Sequence, residues 1–149
     1  MNPIEFLQTA EELLVRNGRE ADLRSAVSRA YYCDYQELRL EVIKINARIR
    51  NTAGLGGTQQ ISHIKLCNAL IGLGRFDPKI ESIGRKLDSL RESRNKADYE
   101  LQKSLSAAKA AEQLENAKEI RDQISSCGGA ATLAKRLETY LNQLSPQTP

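Results

Sequence analysis

The chain has 149 residues, 40% of them hydrophobic and 28% charged, the balance of one globular domain large enough to fold around a single core without staples. Its 22 basic and 19 acidic side chains leave a net charge of +3 with the signs interspersed, so bulk charge selects neither for nor against nucleic acid. Three widely spaced cysteines (Cys33, Cys67, Cys127) and one histidine (His63) supply too little for a disulfide framework, a zinc site or a catalytic triad, and neither a metal nor a cofactor is indicated. No run approaches the roughly 18 uninterrupted apolar residues of a membrane span. The opening MNPIEFLQTAEELL carries acids where a secretory leader carries lysines, so the expectation is a cytoplasmic protein with no membrane contact.

No four-to-eight-residue alternation suggests a strand, and the expected class is all-α, an antiparallel bundle of five to six helices. Asn2-Pro3 caps and opens the first helix, whose stripe is Phe6, Leu7, Ala10, Leu13 and Leu14; Gly18 stops it. A long second helix over about 21–50 carries Leu23, Ala26, Val27, Ala30, Tyr31, Leu38, Val42, Ile45 and Ile49, and the glycine-rich NTAGLGGT (51–58) ends it as a hinge. That loop lacks the G-K-[ST] ending of a phosphate loop. A short third helix carries Ile64, Cys67, Leu70 and Ile71.

Asp77-Pro78 repeats the cap signal and opens a fourth helix. Its apolar seam steps through Ile80, Ile83, Leu87, Leu90, Arg94, Ala97 and Leu101. A fifth helix opens near Ser104 or Ser106 and runs through Ala110, Leu114, Ala117, Ile120 and Ile124 to Gly128-Gly129. A sixth carries Leu133, Leu137, Tyr140, Leu141 and Leu144. The expected organisation is one domain over 1–144 with a disordered tail, 145–149.

Arg94 contradicts its position. A guanidinium on an apolar seam is costly unless it is paired or opens onto a groove or a second subunit. Asp98, one turn on, stands within ion-pair reach. Arg91, Asn95 and Lys96 make the surroundings locally basic, so the residue reads either as a snorkelling arginine paired with Asp98 or as a functional arginine facing an anion.

Two stretches, RSAVSRAYYCDYQ (24–36) and LRESRNKADYELQ (90–102), together resemble the paired signatures of HEPN domains, in particular the small stand-alone prokaryotic group with S-R-A-Y-Y and R-N-x-A-D-Y motifs. The resemblance covers about 3–125. It implies a helical bundle around an up-and-down hairpin, a homodimer with the two motif helices facing each other, and a role in toxin–antitoxin pairs, antiviral defence or RNA processing. It further implies a cognate antitoxin or nucleotidyltransferase-type partner and RNA as a binding partner. Many such proteins are metal-independent endoribonucleases.

In the nuclease motif a histidine follows the arginine by four to six residues. Transferred here, the arginine falls on Arg94, the polar residue on Asn95 and the shortest-spaced histidine slot on Tyr99; the longer spacings fall on Glu100 and Leu101. Metal-free RNA cleavage needs a group that takes the 2′-hydroxyl proton near neutrality. Histidine does so with a pKa of about 6.5, whereas tyrosine at about 10 needs a cation to lower it. Arg94, Asn95 and Tyr99 are thus the catalytic set if the chain cuts RNA, with Arg94 stabilising phosphorane charge.

The resemblance places Arg29 and Tyr32 beside Arg91, Lys96 and Asp98 in an RNA or partner groove. Tyr31 on the stripe reads as core, and Tyr32, off it, is free to stack on a base or reach the motif helix. Asp34 stands where the family more often has a small or apolar residue; otherwise it reads as part of a solvated face. Three functions follow: a dimeric toxin–antitoxin or defence component acting on RNA or an RNA-bound partner, an endoribonuclease with an altered motif, or a protein-interaction module whose seam takes a partner helix.

Overall fold

The structure is a computed structural model that describes residues 2–16, 18–46, 63–74 and 77–144, the side chains of 45–46 and 140–144 aside. The described residues form six helices and no strand: α1 (Ile4–Val15), α2 (Glu20–Asn46), α3 (His63–Gly72), α4 (Pro78–Tyr99), α5 (Ala107–Ser126) and α6 (Ala130–Leu144). No helix among them is long and apolar enough to cross a membrane. The expected hinge 51–58, Ile49 and the tail 145–149 lie outside the described residues, as do the side chains of Ile45, Tyr140, Leu141 and Leu144.

The helix ends fall where the local chemistry sets them. Asn2 Oδ1 accepts the Ile4 amide at 3.2 Å, Asp77 Oδ1 the Lys79 amide at 3.0 Å, and Ser106 Oγ the Lys109 amide at 3.1 Å, each satisfying an amide that the first turn leaves without a carbonyl. At the other end of α5, Gly128 and Gly129 adopt φ of +91° and +94°, which lets the Gly129 amide return to the Ile124 carbonyl at 3.0 Å.

Contacts divide the chain into two compact units, Met1–Gln36 with Lys86–Arg121 and Glu37–Arg85 with Asp122–Pro149. In the first, residue pairings fix the helix directions. Phe6, early in α1, meets Tyr32, while Leu14, late in α1, packs against the cluster that holds Leu23 and Val27 from early in α2, so α1 and α2 run antiparallel. Lys86 pairs with Glu119 at 2.5 Å while Ala97 packs with Ala110, so α4 and α5 do likewise. The core here is drawn from Leu7, Ala10, Leu23, Ala26, Val27, Ala30, Tyr31, Leu87, Leu90, Ala97, Ala110, Leu114 and Ala117, all buried.

In the second unit Leu38, Val42, Leu66, Cys67, Leu70, Ile80, Ile83, Ile124, Leu133 and Leu137 are buried. Here Arg136 pairs with Asp77 at 3.3 Å.

Three expectations are corrected. Leu101 is 70% exposed and lies beyond Tyr99, where α4 ends, so the seam stops at Ala97. In α3 the inward residues are Leu66, Cys67 and Leu70, and Ile64 points outward, because a ten-residue helix with apolar side chains on more than one face leaves its register to tertiary packing. Asp34 is wholly buried rather than solvated.

α3 packs tightly on α4 at Gly84, where an added Cβ would stand 2.7 Å from Leu70 Cβ and 2.9 Å from the Ile71 amide nitrogen. Alanine is worth about 1 kcal/mol over glycine in a free helix, but a rigid backbone atom at that distance must move. Gly84→Ala therefore destabilises the protein by about 1–3 kcal/mol. A urea midpoint raised by the substitution would show that α3 yields instead.

Candidate functional site

The two motif stretches meet at Arg94. Its side chain is only 15% exposed. Nη2 donates to the Tyr32 hydroxyl at 2.7 Å, Nη1 donates to Asn95 Oδ1 at 2.9 Å, and Nε stands 2.9 Å from Asp98 Oδ2 in an ion pair whose angle falls short of a hydrogen bond. The guanidinium carbon also lies 5.2 Å from the Tyr32 ring centroid. A hydrogen bond involving an ionised group contributes about 1.5–3 kcal/mol and a partly desolvated cation–π contact about 0.5–2 kcal/mol. The Asp98 partner supplies the counter-charge. Together these offset the desolvation that makes a bare arginine on a seam unfavourable.

Tyr32 in turn belongs to an aromatic cluster at the junction of α1 and α2. Its ring centroid is 6.0 Å from Phe6, 5.6 Å from Tyr31 and 6.3 Å from Tyr35, and Tyr31 and Tyr35 stack at 5.6 Å with planes 12° apart. Tyr31 is fully buried, while Tyr32 and Phe6 are half-buried. Arg29, exposed, sets its guanidinium 5.8 Å from the Phe6 ring. Arg94, Asn95, Asp98, Tyr32 and, through Phe6, Arg29 thus share one region.

The remaining expected residues are placed elsewhere. Arg91 donates through Nε and Nη2 to Asp88 Oδ1 at 3.0 and 2.8 Å, a turn before Arg94. Lys96 is exposed and lines a different cleft, described below. Tyr99 is the last residue of α4 and is 74% exposed, so its phenol meets water rather than the Arg94 guanidinium.

The residue that sequence reasoning passed over is Arg24. It stands on α2 with its side chain 11% exposed and donates to backbone carbonyls where α4 ends. Nη1 donates to the Ala97 carbonyl at 2.8 Å and the Lys96 carbonyl at 3.4 Å, and Nη2 donates to Glu20 Oε1 at 2.8 Å and to the Lys103 carbonyl. A cation at a helix C-terminus also meets the negative end of the helix dipole. Glu20 Oε1 accepts the Leu105 amide at 3.0 Å, so Glu20 and Arg24 together fix the turn between α4 and α5. The sequence signal was an Arg four residues after a Glu, a spacing usual on any solvated helix face.

Comparison with protein-family models, curated proteins and solved structures finds no match to this chain.

The hydrogen bond from Arg24, and then that from the Leu105 amide, holds the Glu20 carboxyl below its ordinary value of 4.5. A depressed folded-state pKa stabilises the fold at pH above the unfolded value, and that contribution is lost as pH falls through the folded one. Wild type should therefore be more stable than Glu20→Gln at neutral pH, with the difference closing as pH drops below 4.5. Denaturant midpoints across that range measure it; a difference independent of pH would separate Glu20 from the clamp.

Proposed function

We propose that this chain is a HEPN-like protein acting as a dimeric component of a toxin–antitoxin or antiviral defence module, and that it engages RNA or an RNA-bound partner through the Arg94 face without cutting RNA. The observation that carries the reading is the 2.7 Å hydrogen bond from Arg94 to Tyr32, which joins S-R-A-Y-Y to R-N-K-A-D-Y across 62 residues of sequence. Two motifs resembling one family's paired signatures gain weight when their distinguishing side chains bind each other.

Binding without cleavage follows from the chemistry available. Asp98 neutralises Arg94, so the guanidinium has less charge to spend on a phosphorane, and Tyr99 stands in solvent with no cation within the R-N-K-A-D-Y stretch held against its phenol. A general base has to be held against the hydroxyl it deprotonates, and nothing in this stretch holds the phenol in such a place. What the face does offer is a half-buried aromatic pair, Phe6 and Tyr32, edged by the exposed Arg29. Stacking of one base on such a ring contributes about 1–3 kcal/mol and tolerates any sequence.

Labelled single-stranded RNA in a gel shift tests this. The wild type should bind, weaken steeply with added salt, and leave the RNA intact. Arg94→Gln should weaken binding by about tenfold or more. Absence of binding, or binding indifferent to Arg94→Gln, would overturn the reading. Metal-independent cleavage in EDTA that Tyr99→Phe abolishes would replace it with the altered-nuclease reading. Light scattering returning a 16.6 kDa particle at micromolar concentration would remove the dimer.

A further inference from the structure

Beside the clamp made by Arg24 lies a cleft of about 300 Å³ between α2, the end of α4, the following turn and the start of α5. Its walls include the buried Val27 and Ala97 and the partly buried Leu105, part of the apolar cluster that also holds Leu23 and Ala110. Lys96, Lys103 and Lys109 also line it, all three exposed. Lys103 pairs with Glu100 at 3.4 Å, whereas the Lys96 and Lys109 ammonium groups meet no carboxylate among the described residues. Tyr99 at the end of α4 and Leu101 just after it, the sequence neighbours of the lining residue Glu100, are both largely exposed. None of the Arg94 contacts enters it.

We propose that this cleft docks an acidic peptide segment of a partner protein, one apolar side chain of which seats against Val27, Ala97 and Leu105 while its carboxylates meet Lys96 and Lys109. The volume is at the lower end of the roughly 300–1,000 Å³ range of ligand clefts and suits an anchoring side chain. Charge decides between occupants. A second copy of this chain in an isologous contact would set the three lysines against their own copies. A phosphodiester backbone would meet Glu100 and Glu112, which also line the cleft, and has no donor to offer them. A peptide supplies both kinds of group, carboxylates for the lysines and backbone N–H donors for the two glutamates. This proposal stands apart from the RNA reading, because neither Arg94 nor its partners Tyr32, Asn95 and Asp98 line the cleft.

Panning a random-peptide display library against the whole protein, and against the double variant Lys96→Glu/Lys109→Glu, tests it. Both lysines are exposed and bear no structural ion pair, and circular dichroism checks that the variant is folded. The expected result is enrichment of peptides with Asp or Glu around a Leu, Met or Phe, which by fluorescence anisotropy bind the double variant at least about tenfold more weakly and bind Arg94→Gln as well as wild type. No enrichment, enrichment of neutral or basic peptides, or peptides that bind the double variant equally would overturn it. So would competition of the enriched peptides by single-stranded RNA with loss of RNA binding in the double variant, which would assign the cleft to RNA.

Discussion

A guanidinium placed on the inner seam of a helix has to be satisfied where it stands, and the way Arg94 is satisfied organises the region around it. Its seam neighbours Leu90 and Ala97 are buried, so withdrawal into water would drag part of the seam with it. The protein instead brings three partners to it, two from the same helix and one from α2. The partner on α2 is a tyrosine because only a ring with a terminal hydroxyl can both accept a hydrogen bond and offer a π-face to the cation. That requirement fixes Tyr32 off the apolar stripe, and the rings of Phe6, Tyr31 and Tyr35 close around it.

A second arginine governs the end of the same helix. At the end of α4 the Lys96 carbonyl still accepts the Glu100 amide, and Arg24 reaches across from α2 to donate to the Ala97 carbonyl and, at longer range, to that of Lys96. The consequence extends past the helix: with Lys103 held by Arg24 and Leu105 by Glu20, the turn leaves Tyr99 and Leu101 in solvent and opens the cleft beside Ala97. Arg94 thus ties α4 to the aromatic ring of Tyr32, and Arg24 ties its end to the turn beside the cleft toward α5.

Much of the fold could be read from residues whose effect is local. Asn2, Asp77, Gly18 and the Gly128-Gly129 pair act on the backbone within a few residues, and the helices begin and end accordingly. The stripe of α2 was equally legible from Leu23 to Val42, since a 27-residue helix samples its period many times. Elsewhere the information is tertiary. Periodicity continues to Leu101 because it cannot register that Arg24 and Lys103 end the helix first. The ten residues of α3 have apolar groups on more than one side, and tertiary packing, with Leu70 and Ile71 close against Gly84, decides which of them turns inward. Asp34 is buried because α2 is enclosed on several sides around Cys33 and Tyr35, which a single stripe does not encode. Arg24 leaves only the common Glu–Arg spacing, since its other acceptors are backbone carbonyls that any sequence provides. At the site, the Arg94–Asp98 pairing follows from one helical turn, whereas the choice of Tyr32 over Tyr31 required the fold.

The contact between Arg94 and Tyr32 is the joint on which the account rests, and a double-mutant cycle measures it directly. Tyr32→Phe, Arg94→Leu and the pair of substitutions together, compared by urea denaturation, isolate the interaction from the separate effects of each change. A hydrogen bond to a charged group at 2.7 Å predicts a coupling of about 1.5–3 kcal/mol. Substitutions that add to within about 0.5 kcal/mol would contradict it, leaving the two motif stretches as neighbours without a shared interaction.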